Sequence, residues 1–488
     1  MLARLAAAIF ALVLLAPLSA FAAADVKTID LGPSAQVWFV EDHTVPIVSF
    51  DISLPAGSAH DPRGKGGLAA FAAAMMDEGA GEMNSAAFQR ALANRAIQFH
   101  ARAERDFTVI SVSALAEHAP EAMRLLQLAL TRPRFDQDAL ARVRAAMIQS
   151  LQQEAAEPDQ VAARAFMRDF FNGHPYGHAV NGDIASIGSI TQQELRDFAR
   201  RHWVRNGIKI AAAGDITQAA LAKLLGQTFS PLPNTPVPPV RDVGRLGRPG
   251  VHVVPMAVPQ PAAVFGLPGI MRDDPDFIPA FVANYILGGG GFSSRMMEEL
   301  RNKRGLTYGV STGLSPYRKA SVMIGQVGTR ADAINQTIQV VRQVMADFAK
   351  TGPTQGELDD AKTYLTGSFP LAFASNTGIA AQLGTFQRQG LDAGYIARRN
   401  SLIQAVTLED VRRAARRLFN PERLTVIVAG TPGGGPAPQR PKPTPPAPPP
   451  ATTQAATPAA PKPQAPAPAP AVKPVDKPAQ PPAATPQR

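Results

Sequence analysis

The feature that most limits what this 488-residue chain can fold into is an internal repeat. Residues 45–62 read VPIVSFDISLPAGSAHDP and residues 258–275 read VPQPAAVFGLPGIMRDDP. Without a gap, Val45, Pro46, Leu54, Pro55, Asp61 and Pro62 match Val258, Pro259, Leu267, Pro268, Asp274 and Pro275, at an offset of 213. A second stretch, 190–215, repeats at 406–431 with an offset of 216, and Thr191, Arg196, Ala199, Arg200, Arg201 and Gly214 recur as Thr407, Arg412, Ala415, Arg416, Arg417 and Gly430. Two matched ends in nearly one register imply a duplicated unit of about 200 residues, large enough to bury its own core.

Within each unit the hydrophobic period alternates between two and 3.6. Residues 47–54, 107–115 and 208–213 read as strands, and 66–76, 120–131, 137–156 and 191–202 as helices. The second unit repeats this, with strands at 262–267, 307–313 and 322–329 and helices at 277–287, 293–303, 331–350 and 407–418. Hairpin-like strands with helices in separate blocks predict an α+β class, two homologous α+β sandwich halves forming a clam-like chamber, rather than a doubly wound parallel sheet. The expected domains are 25–230 and 250–431, joined by the proline-rich linker 231–249.

Both ends of the chain have different compositions. Residues 1–24 combine Arg4, an apolar run and Ala-x-Ala sites, the pattern of a cleavable signal peptide and hence of a periplasmic or secreted protein. An uncleaved anchor is the alternative, disfavoured by Pro17. Of 46 prolines, 21 fall in 432–488, so that segment is expected to remain extended or disordered, either as a spacer contacting envelope polymer or as an inert solubilising tail. Its six Lys/Arg against Asp476 carry half of the net charge of +10, which leaves the body only mildly basic and gives no case for nucleic-acid binding. No later stretch is long and apolar enough to cross a membrane.

Several chemistries are excluded by spacing. The chain has no cysteine, which removes disulfides, thiolate zinc sites and a cysteine nucleophile. His174 and His178 are separated by Pro175-Tyr176-Gly177, which breaks the helix that would align both rings, so a turn packing its aromatic residue is expected. Gly309-Val310-Ser311-Thr312-Gly313 has the nucleophile-elbow letters but lies within a strand. Gly288, Gly289, Gly290 and Gly291 precede a helix without a following Lys-Ser/Thr, which suits a loop touching peptide backbone better than a phosphate loop.

The order of motifs resembles the pitrilysin/insulinase family of zinc peptidases across the body of the chain. These are Leu54-Pro55-Ala56-Gly57-Ser58, Gly67-Leu68-Ala69-Ala70-Phe71, the RDFTV segment at 105–109, His174-Pro175-Tyr176-Gly177 and the LRNKRGLTY segment at 300–308. The family's active half carries H-x-x-E-H, in which two imidazoles bind Zn²⁺ and the glutamate polarises water. Here those positions are Ala70, Ala73 and Ala74, and no carboxylate lies between Asp138 and Glu154, where the distal ligand would fall near Ser150 or Leu151. The resemblance therefore implies no metal and no zinc cofactor in this chain, and zinc in a partner.

The family's second half brings an Arg and a Tyr to the scissile carbonyl, and Arg301 and Tyr308 have that spacing. What this implies is a non-zinc subunit of a periplasmic heterodimer, inactive alone. Its homologous partner bears H-x-x-E-H, with extended or unfolded polypeptide as substrate along a sheet edge. The alternative is a non-enzymatic peptide-binding or scaffold protein of the cell envelope.

Overall fold

The computed structural model describes residues 25–32 and 35–431, so the expected leader and proline-rich tail lie outside the described residues. Two sheets carry the fold. The first has six strands in the order Lys27–Asp30, Ala35–Glu41, Ile208–Gly214, Ile47–Leu54, Thr108–Leu115 and Gln98–Ala103. The second has five, in the order Gly250–Val254, Thr425–Ala429, Ala262–Pro268, Ser321–Thr329 and Thr307–Pro316.

Apart from the extra edge strand Lys27–Asp30, the two orders are the same. In each sheet one parallel pair is followed by antiparallel neighbours. The offsets seen in the sequence reappear in the register: Ser49 faces Ala213 in the first sheet and Ala262 faces Ala429 in the second. Gly214 and Gly430 recur for a steric reason. Both sit at positive φ (133° and 141°), and a Cβ there would collide with the carbonyl oxygen of Ile47 and the ring of Pro261 respectively. The mixed α/β class and the duplicated two-domain layout expected above are both present.

Each sheet packs one apolar face on its own helices. Val48, Phe50, Ile52 and Leu54 bury against residues of the Leu68–Ala74, Ala119–Thr131 and Gln192–His202 helices. In the second half Ala263, Phe265 and Leu267 meet the Phe277–Asn284, Ile334–Thr351 and Leu408–Leu418 helices. The helices repeated in both copies start with capping boxes. Thr191 and Glu194, and likewise Thr407 and Asp410, exchange side-chain and backbone hydrogen bonds at each helix start.

The opposite faces are covered by exchange. The Pro158–Phe171 helix of the first half lies on the second sheet, where Ala162, Phe166 and Phe170 join Val264, Val322 and Ile427 in one cluster. The Asn376–Arg388 helix of the second half lies on the first sheet, where Ile379, Leu383 and Phe386 join Trp38, Ala211 and Ala213. Corresponding strand positions differ in chemistry at these two seams. Ser49, Asp51 and Ser53 stand where the second copy has Ala262, Val264 and Gly266. Gly266 leaves room for Phe166, whose Cζ a Cβ would approach to 2.6 Å, whereas Gly384 on the incoming helix leaves room for the Asp51 carboxylate.

The first seam has a largely buried polar stripe. Arg388 Nη1 donates to Asp51 Oδ1 at 2.6 Å and to Ser53 Oγ at 2.8 Å, with the Asp51 side chain only 4% exposed. Ser49 Oγ lies 3.0 Å from Thr377 Oγ1, and Asn376 Nδ2 donates to the Ile47 carbonyl at 3.0 Å. Burial pushes the Asp51 carboxyl above its ordinary value, and the Arg388 guanidinium opposes that push. Arg388→Met leaves Asp51 buried without its counter-ion and is expected to cost about 3–5 kcal/mol in urea unfolding, with part recovered by adding Asp51→Asn. Equal stability of both variants and the parent would show that the pair does not hold the halves together.

A second polar contact predicts a pH response. The rings of His60 and His202 lie 4.9 Å apart, and burial lowers the pKa of both, that of His202 to about 4. A histidine held neutral in the folded state contributes stability that is complete above about pH 6.5 and lost as the pH falls toward its folded pKa. Stability should therefore drop by about 1–3 kcal/mol between pH 7 and pH 4.5, with a shallower slope in His202→Gln. Thermal melts across that range read both curves, and parallel slopes would remove His202 as the cause.

Candidate functional site

The Leu68–Ala74 helix is set in place by Asp61. Its carboxylate accepts the backbone N–H groups of Gly67 and Ala69, each at 2.8 Å. Burial pushes the Asp61 carboxyl up to about 7, while the same N–H groups pull it down. The backbone frame at this point is intact, but the side chains are methyl groups. Ala70 and Ala73 are buried and Ala74 is half-buried, and none can ligate a metal or move a proton.

At the expected place of the distal ligand, Leu151 is packed into the first core and Ser150 is exposed. The nearest carboxylate along that helix, Glu154, is paired with Arg164 at 2.7 Å. Among the described residues no group of three or more His, Asp or Glu side chains could hold a metal ion. The donor set does not fit zinc, and no step through it is derived for this chain alone.

Arg301 and Tyr308 lie where the backbone departs from regular geometry. The segment expected as one helix is divided into the three-residue helix Arg295–Met297 and the π-helical turn Glu298–Asn302, closed by Lys303 N–H donating to the Glu298 carbonyl at 3.0 Å. Such π turns are frequent at functional sites because they re-aim side chains. The strand Thr307–Pro316 then opens with a register shift between Thr307 and Val310. Thr307 Oγ1 accepts the Gly309 N–H at 3.0 Å and lies 2.8 Å from the Gly309 carbonyl and 2.7 Å from that of Gly328. This bulge leaves Tyr308 outside the ladder and 88% exposed.

The Arg301 guanidinium lies over the ring of Phe292, 4.6 Å from its centroid, and Phe292 is itself 72% exposed. Neither Arg301 nor Tyr308 forms a salt bridge or side-chain hydrogen bond among the described residues. Beside Tyr308 opens a cavity of about 390 Å³ lined by Gly291, Phe292, Tyr308, Ser311 and Gln326, with Asp159 contributed by the first half; Arg301 reaches it only through Phe292. Ala70, Ala73 and Ala74 do not line it. The structure thus gathers Phe292, Arg301 and Tyr308 in one neighbourhood, whose cavity does not include the alanine positions.

The four glycines divide. A Cβ at Gly288 would press on Thr312, one at Gly289 on Asn284, and one at Gly290 on Tyr285, so packing accounts for these three. Gly291, at φ +60° with open space around it, is the one that borders the cavity. Phe292 went unnoticed in the sequence, although an aromatic residue directly after four glycines was the available signal. The His174–Gly177 turn packs its aromatic ring as expected, with Tyr176 buried and its hydroxyl 2.5 Å from Asp106.

Comparison with known proteins follows these features. Residues 36–183 match the family described as Insulinase (Peptidase family M16), and residues 189–365 match that described as Peptidase M16 inactive domain. A crystal structure of a peptidase M16 inactive domain from Pseudomonas fluorescens aligns with a TM-score of 0.79 at 31% identity, over 83% of this chain and 98% of that one. A Helicobacter pylori relative named non-peptidase homolog YmxG is 26% identical over 77% of this chain and 87% of its own length. One from Bacillus subtilis, named uncharacterized zinc protease YmxG, is 21% identical over 79% and 94%. The matched segments and the duplicated sheets lead to one assignment: the chain belongs to the M16 (insulinase) peptidase family.

Proposed function

We propose that this chain is the zinc-free subunit of a heteromeric M16 peptidase, exported to the periplasm or secreted. A homologous partner supplies H-x-x-E-H, zinc and the attacking water. This chain supplies Arg301 and Tyr308, which donate to the oxyanion that develops on the scissile carbonyl, and the Gly291–Phe292 border of the substrate cavity. The observation that carries this reading is an exposed phenol, Tyr308, lining an open cavity whose neighbouring wall residue Phe292 is covered by the Arg301 guanidinium, neither polar group having a side-chain hydrogen-bond partner among the described residues. Polypeptide is bound extended, with the unpaired edges of Gln98–Ala103 and Thr307–Pro316 available for strand addition. Among the described residues no helix is long and apolar enough to cross a membrane.

The test is peptide cleavage by the mature chain, alone and mixed with an H-x-x-E-H homologue from the same genome. Activity is expected only in the mixture, reduced about 10²–10³-fold by Arg301→Ala and clearly reduced by Tyr308→Phe. Cleavage by the lone chain, or full activity of both variants in the mixture, would overturn it. A second reading, a peptide-holding scaffold, draws on the name non-peptidase homolog carried by the Helicobacter pylori relative. A stable but inactive complex would favour it.

Restoring the motif in this chain is expected to fail. Ala70→His with Ala73→Glu and Ala74→His places large polar groups at positions that are mostly buried, without a distal carboxylate. The triple variant should lose at least about 1–3 kcal/mol to overpacking and gain no hydrolysis. Thermal melting and zinc content of the purified variant check both parts.

A further inference from the structure

Between the halves, a cavity of about 330 Å³ is walled by the linker residues Val237, Pro238, Pro239 and Val240, and no Asp or Glu lines it. Three cations do: Lys209, Arg318 and Arg388. Arg388 is already paired with Asp51. Neither the Lys209 ammonium nor the Arg318 guanidinium forms a salt bridge or hydrogen bond among the described residues; the Arg318 backbone N–H donates to Asp106 Oδ2 at 3.0 Å, and its guanidinium lies over the Phe107 ring, 5.7 Å from its centroid. The pocket therefore presents two unpaired cationic heads, that of the half-buried Lys209 and that of the exposed Arg318.

Neighbouring groups respond to that field. The pKa of Lys209 is lowered by burial and then by Arg318, and that of His60, also on the cavity wall, is lowered by burial, with Arg318 contributing against the opposing pull of Asp106. An adjoining cavity of about 580 Å³ shares Phe107, Arg318 and Arg388, but there Glu104 and Asp106 stand against Arg102 and Arg105. With the shared Arg318 and Arg388 counted, both cavities have more cations than acids, and what distinguishes the smaller pocket is Lys209 and a lining without Asp or Glu. Its other walls, Pro55, Phe107 and the linker's valine and prolines, are apolar.

We propose that this seam pocket binds a carboxylate attached to a small apolar group, with Lys209 and Arg318 as its ion-pairing residues and the linker as its apolar wall. A carboxylate satisfies an ammonium and a guanidinium together, and desolvation strengthens such charge-assisted bonds. Two sources share this chemistry: the C-terminal end of a peptide and a free small acid. The site is argued independently of peptide hydrolysis at Tyr308.

Calorimetric titration of the full chain tests it with N-acetyl-leucine, N-acetyl-leucinamide, a leucine-terminated pentapeptide as acid and as amide, and inorganic phosphate. The pentapeptide acid is expected to bind at least about tenfold tighter than its amide, a difference of about 1.4 kcal/mol. Lys209→Met and Arg318→Gln should each weaken that binding about tenfold or more. Binding of N-acetyl-leucine as well supports the pocket and identifies a free acid as sufficient; pentapeptide binding alone supports it and identifies the peptide terminus. Melting temperatures no lower than the parent's keep a loss of binding from being a loss of fold, and Lys209→Met is expected to raise stability by removing a partly buried charge. Equal binding of acid and amide, unchanged binding in both variants, or tighter binding of phosphate than of either acid would overturn the assignment.

Discussion

The contact on which the architecture turns is the buried pair Asp51–Arg388, with the serines around it. It lies on the far face of the first sheet, where a helix from the other half replaces solvent. Burying a carboxylate is costly unless a cation and further donors meet it, and Arg388 does so with geometry that also engages Ser53. The glycine at 384 exists for the same contact, since a methyl group there would displace the carboxylate. The reciprocal seam uses Phe166 and Gly266 instead, so the two exchanged helices are not interchangeable. One duplicated unit could close on itself symmetrically; the different seams make each helix specific for its own sheet.

The two candidate regions differ in how their backbone is built. The Leu68–Ala74 helix is still anchored by Asp61 and still packed, because its backbone and apolar face belong to the first core. Replacing ligands by alanine removes chemistry without opening a large gap. Around Tyr308 the opposite holds. A π turn and a β-bulge keep a phenol out of the ladder and beside an arginine stacked on Phe292, geometry that a simple helix and a regular strand would not produce.

On the proposed reading, alanine at 70, 73 and 74 and an exposed Arg301/Tyr308 pair give the family assignment its particular meaning here. The candidate site residues came from the family resemblance rather than from spacing alone. Ala70, Ala73 and Ala74 follow from reading one helix, and Arg301 and Tyr308 from one segment of nine residues. Phe292 and Asp159 were not legible, because their relation to Tyr308 depends on a turn and on a helix lent by the other half.

The sequence by itself determined the duplication, the mixed class, most of the strands and helices, and the absence of cysteine. Each follows from local period or residue type, which a side chain carries wherever it lies. It also read Val48–Ser49–Phe50–Asp51–Ile52–Ser53–Leu54 as a strand with one apolar and one polar face. Only the tertiary structure decided that the polar face is buried too, beneath Asn376–Arg388 more than 300 residues away. Alternation reports the chemistry of a face, not what covers it. A polar face can meet water or a matched set of donors and acceptors, and that choice is made by the partner that packs against it.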